Sequence, residues 1–160
     1  MLGVEVEADS REVVRWNQPL LGSVEQGLIA FVVSEIDGLL HFLVQARIEA
    51  GGIDTLTLAP TVQIALGYDQ RSDALGWPPF AELVDDPPAH AIRYSCVQSE
   101  EGGRFFRVEN EYRIVQVEDG GKLDLPPNFL WLSLRQLHQL LRFGLVGVEA
   151  RSLLACLRFT

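Results

Sequence analysis

The stretch HFLVQARIEAGG, residues 41–52, separates into two sets of side chains when every second residue is read. Phe42, Val44, Ala46 and Ile48 form an apolar set, and the residues between them are His41, Leu43, Gln45, Arg47 and Glu49. A period of two predicts a β-strand that buries one face in a core. The other face must then meet either water or a ligand.

The neighbouring segments extend this strand into a sheet. Residues 27–35, GLIAFVVSE, are apolar on both faces, which is typical of a centrally buried strand. An Asp37-Gly38 pair between two apolar runs predicts a tight hairpin. Residues 54–65, DTLTLAPTVQIA, alternate again, and this alternation predicts a polar face made of Thr55, Thr57, Thr61 and Gln63.

Helices follow most of the predicted strands along the chain. A short helix is expected near residues 78–84, PPFAELV, inside a loop rich in Pro, Gly and Asp. Ser133 and Gln136 have capping-box spacing at the start of a helix, and Gly144 stands where its C-terminal cap belongs. A last helix is predicted over residues 149–157. This order predicts an α+β fold, a mixed β-sheet flanked by helices, in a single domain over residues 1–160.

Composition excludes several classes of protein. The chain has 160 residues, of which 48% are hydrophobic and 22% charged, and its net charge is −9. A chain this acidic disfavours nucleic-acid binding. Its apolar runs fall short of a membrane span, and the acidic, alternating start does not resemble a signal peptide, so we expect a cytoplasmic protein. Cys96 and Cys156 lack metal-ligand spacing and are expected to be small core residues.

The polar strand face admits two interpretations. An antiparallel sheet often turns one face to solvent, and such a face carries whatever water tolerates. Solvent faces favour lysine and glutamate, however, whereas this one carries Gln45, Arg47, Thr57, Thr61 and Gln63. These groups hydrogen-bond hydroxyls while adding little charge. We therefore favour a ligand pocket floored by the two strands.

A second candidate segment is QSEEGGRF, residues 98–105. Gln98 and Glu100 end a predicted strand, a glycine pair follows, and Arg104 comes directly after it. The plainer interpretation is a hairpin loop with a solvated Glu-Arg pair. The functional interpretation places Glu100 and Arg104 at the rim of the pocket.

Six segments, in order, resemble the NDP-hexose 2,3-dehydratase family: WNQPLL (16–21), FVVSEIDGLLHFLVQARIEAGG (31–52), LAPTVQ (58–63), QSEEGGRFFRVEN (98–110), FLWLSLRQLHQLLR (129–142) and EARSLLACL (149–157). The resemblance implies a Nudix-like fold without Nudix chemistry. Members of the family carry two tandem copies of this unit, and the single copy here looks more like the second. The resemblance therefore also implies a homodimer.

The sequence departs from the family pattern at three places. Glu49-Ala50-Gly51 stands for the family's Glu-Pro-Gly, Ala65 replaces a threonine after PTVQ, and a basic stretch near residues 107–113 is thinned to Arg107, Asn110 and Arg113. These departures keep other functions open. One alternative is a stand-alone unit recruited as a cyclase, dehydratase or isomerase on a polyketide-like substrate of secondary metabolism. Another is a non-catalytic ligand-binding partner subunit. A more apolar ligand would be suited to the aromatic residues Trp77, Phe80, Phe105 and Phe106.

The family reaction removes water from an NDP-4-keto-6-deoxyhexose, and it requires no obligatory metal or cofactor. It needs a base for the C3 proton, a donor to the enolate oxygen and an acid for the departing C2 hydroxyl. We assign Glu49 or Glu100 as base or acid. The residues expected to bind substrate are Arg47 or Gln63 at the ketone, Arg104 at the diphosphate, Trp16 at the nucleotide base, and the polar groups Gln45, Thr61, Gln98 and Asn110.

Overall fold

The fold was determined from a computed structural model, which describes residues 1–22, 26–48, 56–64, 76–100 and 103–157. Over these residues the chain forms strands β1 (Leu2–Glu7), β2 (Arg15–Gly22), β3 (Gly27–Ile36), β4 (Leu39–Arg47), β5 (Thr57–Ala59), β6 (Val62–Ile64), β7 (Ile92–Ser99), β8 (Phe105–Phe106), β9 (Glu109–Gln116) and β10 (Phe129–Ser133), with helices α1 (Ala81–Val84), α2 (Leu134–Leu141) and α3 (Val148–Ala155). No helix among these residues is long and apolar enough to span a bilayer.

A seven-stranded mixed sheet forms the centre of the structure. Its strand order is β10-β4-β3-β9-β7, with β5 added to β4 and β6 added to β3. The β3–β9 pair is parallel and the other pairs are antiparallel. Helices α2 and α3 pack over a core on one face, and α1 packs over a second core on the other. The α+β prediction is confirmed.

The hairpin of β3 and β4 forms as predicted. Asp37 and Gly38 both have positive φ, 52° and 76°, as the favoured two-residue hairpin turns require. The alternation in β4 is also present, because Phe42 and Val44 lie in the core under α2 and α3. Leu43, on the opposite face, is fully buried in the second core. The second face of β4 is therefore interrupted by an apolar residue, with His41 before Leu43 and with Gln45 and Arg47 after it.

Residues 56–64, the described part of the predicted segment 54–65, do not form one continuous strand, contrary to expectation. Thr55 lies outside the described residues. Pro60 has no backbone N–H to donate to a β-ladder, and the strand is interrupted there, which separates β5 from β6. β5 pairs with the end of β4, whereas β6 pairs with the start of β3. The hairpin of β3 and β4 thus opens into a fork, with β5 and β6 between its arms. Leu58 consequently joins one core and Val62 the other, rather than sharing a face.

Thr61 closes the base of this fork. Its Oγ1 accepts a hydrogen bond of 2.8 Å from the backbone N–H of Val32 and donates to the carbonyl of Leu43. Val32 and Leu43 face each other across β3 and β4, so the hydroxyl takes the place of a direct ladder bond. The side chain is 2% exposed, which makes it a structural part of the sheet.

A smaller three-stranded sheet has the order β1-β2-β8. β1 is an edge strand, and β2 runs through Pro19 to Gly22. Pro19 is tolerated because β2 is paired there with β1 alone, β8 joining only at Leu21 and Gly22.

The expectation that both cysteines lie in the core is wrong. Cys96 is exposed on β7, where the edge of the large sheet leaves it uncovered, and Cys156 is half-buried just after α3.

Replacing Thr61 by valine is expected to lower the free energy of unfolding by about 1–3 kcal/mol, because two buried backbone groups lose their partner. Thr57→Val is the matched control. Its hydroxyl is buried without a hydrogen-bond partner among the described residues, so its loss should be neutral or stabilising. Urea denaturation monitored by tryptophan fluorescence measures both. Equal effects of the two substitutions would contradict the role of Thr61.

Candidate functional site

A concavity of about 310 Å³ lies at the open end of the fork. Its walls come from four strands, the segment after β7 and the start of α3. They consist of the apolar residues Ile29 and Ile64 and the polar residues Arg47, Gln63, Glu100, Asn110 and Glu149. The concavity therefore joins two carboxylates, one guanidinium and two amides over a partly apolar floor.

Glu100 is held in place by Asn110. The Nδ2 of Asn110 donates to Oε1 of Glu100, and the backbone N–H of Glu100 donates to the carbonyl of Val108 at 2.8 Å. Asn110 is 8% exposed and lies opposite Gly27 in the β3–β9 ladder. A Cβ on Gly27 would stand 2.2 Å from Oδ1 of Asn110. Glycine at this position thus makes room for the amide that orients the carboxylate.

Glu149 enters the concavity from the first turn of α3. The start of that helix is tied to β5, because Leu58 N–H donates to Leu145 O at 2.7 Å and Gly147 N–H donates to Leu58 O at 2.9 Å. A carboxylate in the first helical turn is also favoured by the helix dipole. The sequence analysis missed Glu149. An acidic residue in the first turn of a predicted helix was visible, but its approach to β5 depends on a tertiary backbone contact.

Arg47 and Gln63 come from the two arms of the fork. Among the described residues, Arg47 takes part in no ion pair, although two glutamates share its concavity. The Oε1 of Gln63 is buried and lacks a hydrogen-bond partner within the same described part of the chain. Both side chains therefore have hydrogen-bonding capacity that the fold itself does not use.

Tyr112 lies beside this group, two residues after Asn110 on the same face of β9. It is 8% exposed and pairs with Ile29 in the β3–β9 ladder. Burial raises its pKa to about 12, and the negative charges of Glu100 and Glu149 contribute to the rise. The phenol thus stays protonated beside two carboxylates.

The structure brings together four of the residues predicted for the pocket: Arg47, Gln63, Glu100 and Asn110. Thr61 is not among them, since its hydroxyl is used inside the sheet. Gln45 is half-buried on β4, opposite Ala59 of β5, and does not line the concavity. Glu49, the other predicted catalytic carboxylate, lies outside the described residues.

Three further predicted residues lie elsewhere. Trp16 is on β2 of the smaller sheet, where its Nε1 donates to Oε1 of Gln18 at 3.0 Å. Arg104 is exposed just before β8, with its guanidinium 5.6 Å from the ring centre of Phe105. Gln98 is bonded to Tyr94 Oη at 3.4 Å and lies 3.7 Å from Cys156 Sγ, at the opposite end of α3 from Glu149.

Two solved structures are similar to this chain in fold. The C-terminal domain of mouse MUTYH, in complex with human PCNA, superposes with a TM-score of 0.51 at 12% identity, covering 82% of this chain and 85% of that one. A Nudix hydrolase from M. smegmatis, RenU, reaches a TM-score of 0.48 at 15% identity, over 95% of this chain and 91% of its own. The likeness to the MUTYH domain concerns the fold alone and has no bearing on chemistry.

The sequence relationship is more specific. The family model described as NDP-hexose 2,3-dehydratase matches residues 1–157, and the chain belongs to that family. A dTDP-4-dehydro-6-deoxy-alpha-D-glucopyranose 2,3-dehydratase of Streptomyces violaceoruber is 46% identical over 99% of this chain and 35% of its own length. Its namesake in Amycolatopsis orientalis is 44% identical over 98% and 33%. The chain spans about a third of the length of these curated relatives.

Replacing Gly27 by alanine is expected to destabilise the fold by about 1–3 kcal/mol, because the new methyl group would overlap Asn110 and crowd the carbonyl of Ile64. Gly3→Ala in β1 is the control, since a Cβ there meets no atom within 4 Å. The free energies of unfolding of both variants in urea check this. Retention of full stability by the Gly27 variant would show that the contact is not tight.

The raised pKa of Tyr112 predicts a pH effect on stability. A phenol ordinarily ionises near pH 10, so between about pH 10 and 12 the unfolded chain loses this proton while the folded chain keeps it. Its contribution to stability is therefore complete below pH 10 and is lost as the pH rises to about 12. Tyr112→Phe should remove part of this alkaline loss, measured as the free energy of unfolding against pH. Tyr94, whose pKa is also raised to about 12, accounts for the part that remains. Identical alkaline slopes for the two proteins would refute the assignment.

Proposed function

We propose that the concavity at the fork eliminates water from a dTDP-4-keto-6-deoxyhexose, the 2,3-dehydratase reaction for which the relatives are named. The observation that carries the proposal is the meeting of Glu100 and Glu149 with Arg47, which forms no ion pair in the described part of the chain, in one concavity. Two carboxylates from separate elements provide for a base and an acid, and a guanidinium provides for a developing oxyanion.

The chemistry is a β-elimination next to a ketone. A carboxylate takes the C3 proton, and the C3–H electron pair moves into an enolate whose negative charge rests on the C4 oxygen. The enolate then collapses to form the C2–C3 double bond, and the C2 hydroxyl leaves as water after accepting a proton from the acid. No electron is gained or lost overall, so the reaction consumes neither oxidant nor reductant.

We propose a role for each of the charged side chains. Glu100, oriented by Asn110, acts as the base, and Glu149 acts as the acid for the departing hydroxyl. Arg47 stabilises the enolate oxygen. A volume of about 310 Å³ is at the lower end for ligand sites, so it accommodates the sugar ring and leaves the nucleotide outside.

The nucleotide would then extend along the segment that connects β7 to β9. Arg104 lies on this segment, four residues after Glu100 and six before Asn110. The backbone carbonyl of Arg104 accepts from Leu21 N–H at 2.7 Å, which anchors the segment to β2. We further propose that Arg104 binds the diphosphate and Trp16 the nucleotide base, and that the chain forms a homodimer in the cytoplasm.

The polyketide-like alternative loses part of its aromatic argument, although Phe106 on β8 is 40% exposed. Phe80 is 8% exposed in the second core, edge-on to Phe129 with ring centres 5.0 Å apart, and Trp77 packs against the same core. Phe80 and Trp77 therefore pack in the protein core and do not provide a binding surface for a more apolar ligand.

Glu100→Gln and Glu149→Gln are each expected to lower the turnover of dTDP-4-keto-6-deoxyglucose by about 10²-fold or more, since each removes a proton-transfer group. Glu109→Gln is the matched control, because Glu109 is exposed at the start of β9. Product formation is followed by NMR on the purified chain. Wild-type rates in both folded variants would reject the catalytic assignment.

A thermal-shift titration separates catalysis from binding alone. A ligand that binds only the folded chain raises its apparent stability. Stabilisation by the keto sugar together with turnover supports the proposal. Stabilisation without turnover supports a non-catalytic partner subunit, and the absence of any shift with dTDP sugars rejects a nucleotide-sugar site.

A further inference from the structure

The two amides of the concavity differ in how they are used. The Nδ2 of Asn110 is committed to Glu100. The amide of Gln63, in contrast, makes no hydrogen bond within the described residues, and its Oε1 is buried. A buried amide oxygen without a hydrogen-bond partner lowers the stability of the fold, so the presence of glutamine at this position needs a physical explanation.

The backbone under Gln63 is bonded into the sheet, whereas its side-chain amide makes no hydrogen bond among the described residues. Gln63 pairs with Ile29 in the β3–β6 ladder, at the centre of the three-residue strand β6. Turning the amide toward the concavity therefore breaks no hydrogen bond among the described residues. The gain from binding a ligand there is not offset by the loss of such a bond.

Donor and acceptor capacity separates Gln63 from its neighbours. A guanidinium such as Arg47 only donates, and an ionised carboxylate such as Glu100 only accepts. The proton of Glu149, the proposed acid, is used on the departing hydroxyl. A glutamine amide carries a donor and an acceptor side by side. Among the described residues that line the concavity, Gln63 is the side chain with both of these left unused.

We infer, resting on the proposed function, that Gln63 determines specificity for an α-hydroxyketone by binding the ketone and the adjacent hydroxyl together. Its Nε2 donates to the C4 ketone oxygen, and its Oε1 accepts from the C3 hydroxyl. A sugar with a C4 ketone but without the C3 hydroxyl leaves Oε1 unpaired.

This contact also prepares the substrate for proton removal. In a gluco-configured 4-ketohexose the C3 hydroxyl is equatorial and lies close to the carbonyl plane, so the C3–H bond stands nearly perpendicular to that plane. An amide bound within the plane leaves the C3–H bond free to face a carboxylate. As charge develops on the C4 oxygen, the bond from Nε2 becomes charge-assisted and strengthens.

The test measures whether Gln63 and the C3 hydroxyl are energetically coupled. Binding of dTDP-4-keto-6-deoxyglucose and of its 3-deoxy counterpart is measured by calorimetry in a Glu100→Gln background, which keeps the keto sugar intact. With Gln63 present, the 3-deoxy sugar is expected to bind about tenfold more weakly or worse. With Gln63→Leu, the two sugars should bind within about twofold of each other. Gln63→Met, closer in shape, repeats the measurement should the leucine variant fold poorly.

Gln139→Leu, on the exposed side of α2, is the matched control and should keep the full difference between the sugars. If the Gln63 variants also keep that difference while binding the keto sugar, the specificity inference fails and the proposed function stands. If neither sugar binds to any of these proteins, the proposed function fails and the inference fails with it.

Discussion

The hydroxyl of Thr61 is the interaction on which the geometry of the site depends. It lies between Val32 and Leu43, where a regular hairpin would form a direct backbone bond, and so it ends the β3–β4 ladder without leaving either backbone group unpaired. Beyond this point the arms separate, and each acquires a short strand of its own, β6 or β5. A widening sheet exposes backbone and side chains that a closed hairpin would bury. The concavity forms at that open end.

The charges at the concavity, and the backbone contacts that position them, explain why this site is suited to proton transfer. Glu100 arrives from the segment after β7 and Glu149 from α3, and each is positioned by a contact made elsewhere: Asn110 against Gly27, and Gly147 against Leu58. Two carboxylates beside one guanidinium can share a proton-transfer task, because either can be the proton acceptor while the other is the donor. The protonated phenol of Tyr112 nearby adds no further negative charge.

The local features of the sequence predicted much of the fold. The Asp37-Gly38 turn, the doubly apolar β3, and the capping box of Ser133 and Gln136 each follow from short-range chemistry, and all are present. The prediction of one continuous polar face over residues 54–65 was wrong, because the hydrophobic period does not reveal that the strand breaks at Pro60. After this break β5 pairs with β4, whereas β6 pairs with β3. The same break explains the site: Arg47 and Gln63 remained at the concavity, whereas Thr61 was drawn into the sheet. Glu149 could not have been found from spacing, since its place depends on backbone bonds between β5 and the start of α3.

The central claim is that the open end of the fork binds the sugar. Titration of the ¹⁵N-labelled chain with dTDP-4-keto-6-deoxyglucose tests it most directly, because side-chain and backbone amides at the site report contact individually. The account predicts the largest shifts in the side-chain amides of Gln63 and Asn110 and in the backbone of Glu149. Shifts confined to the smaller sheet or to the exposed face of α2, with these three residues unmoved, would contradict it.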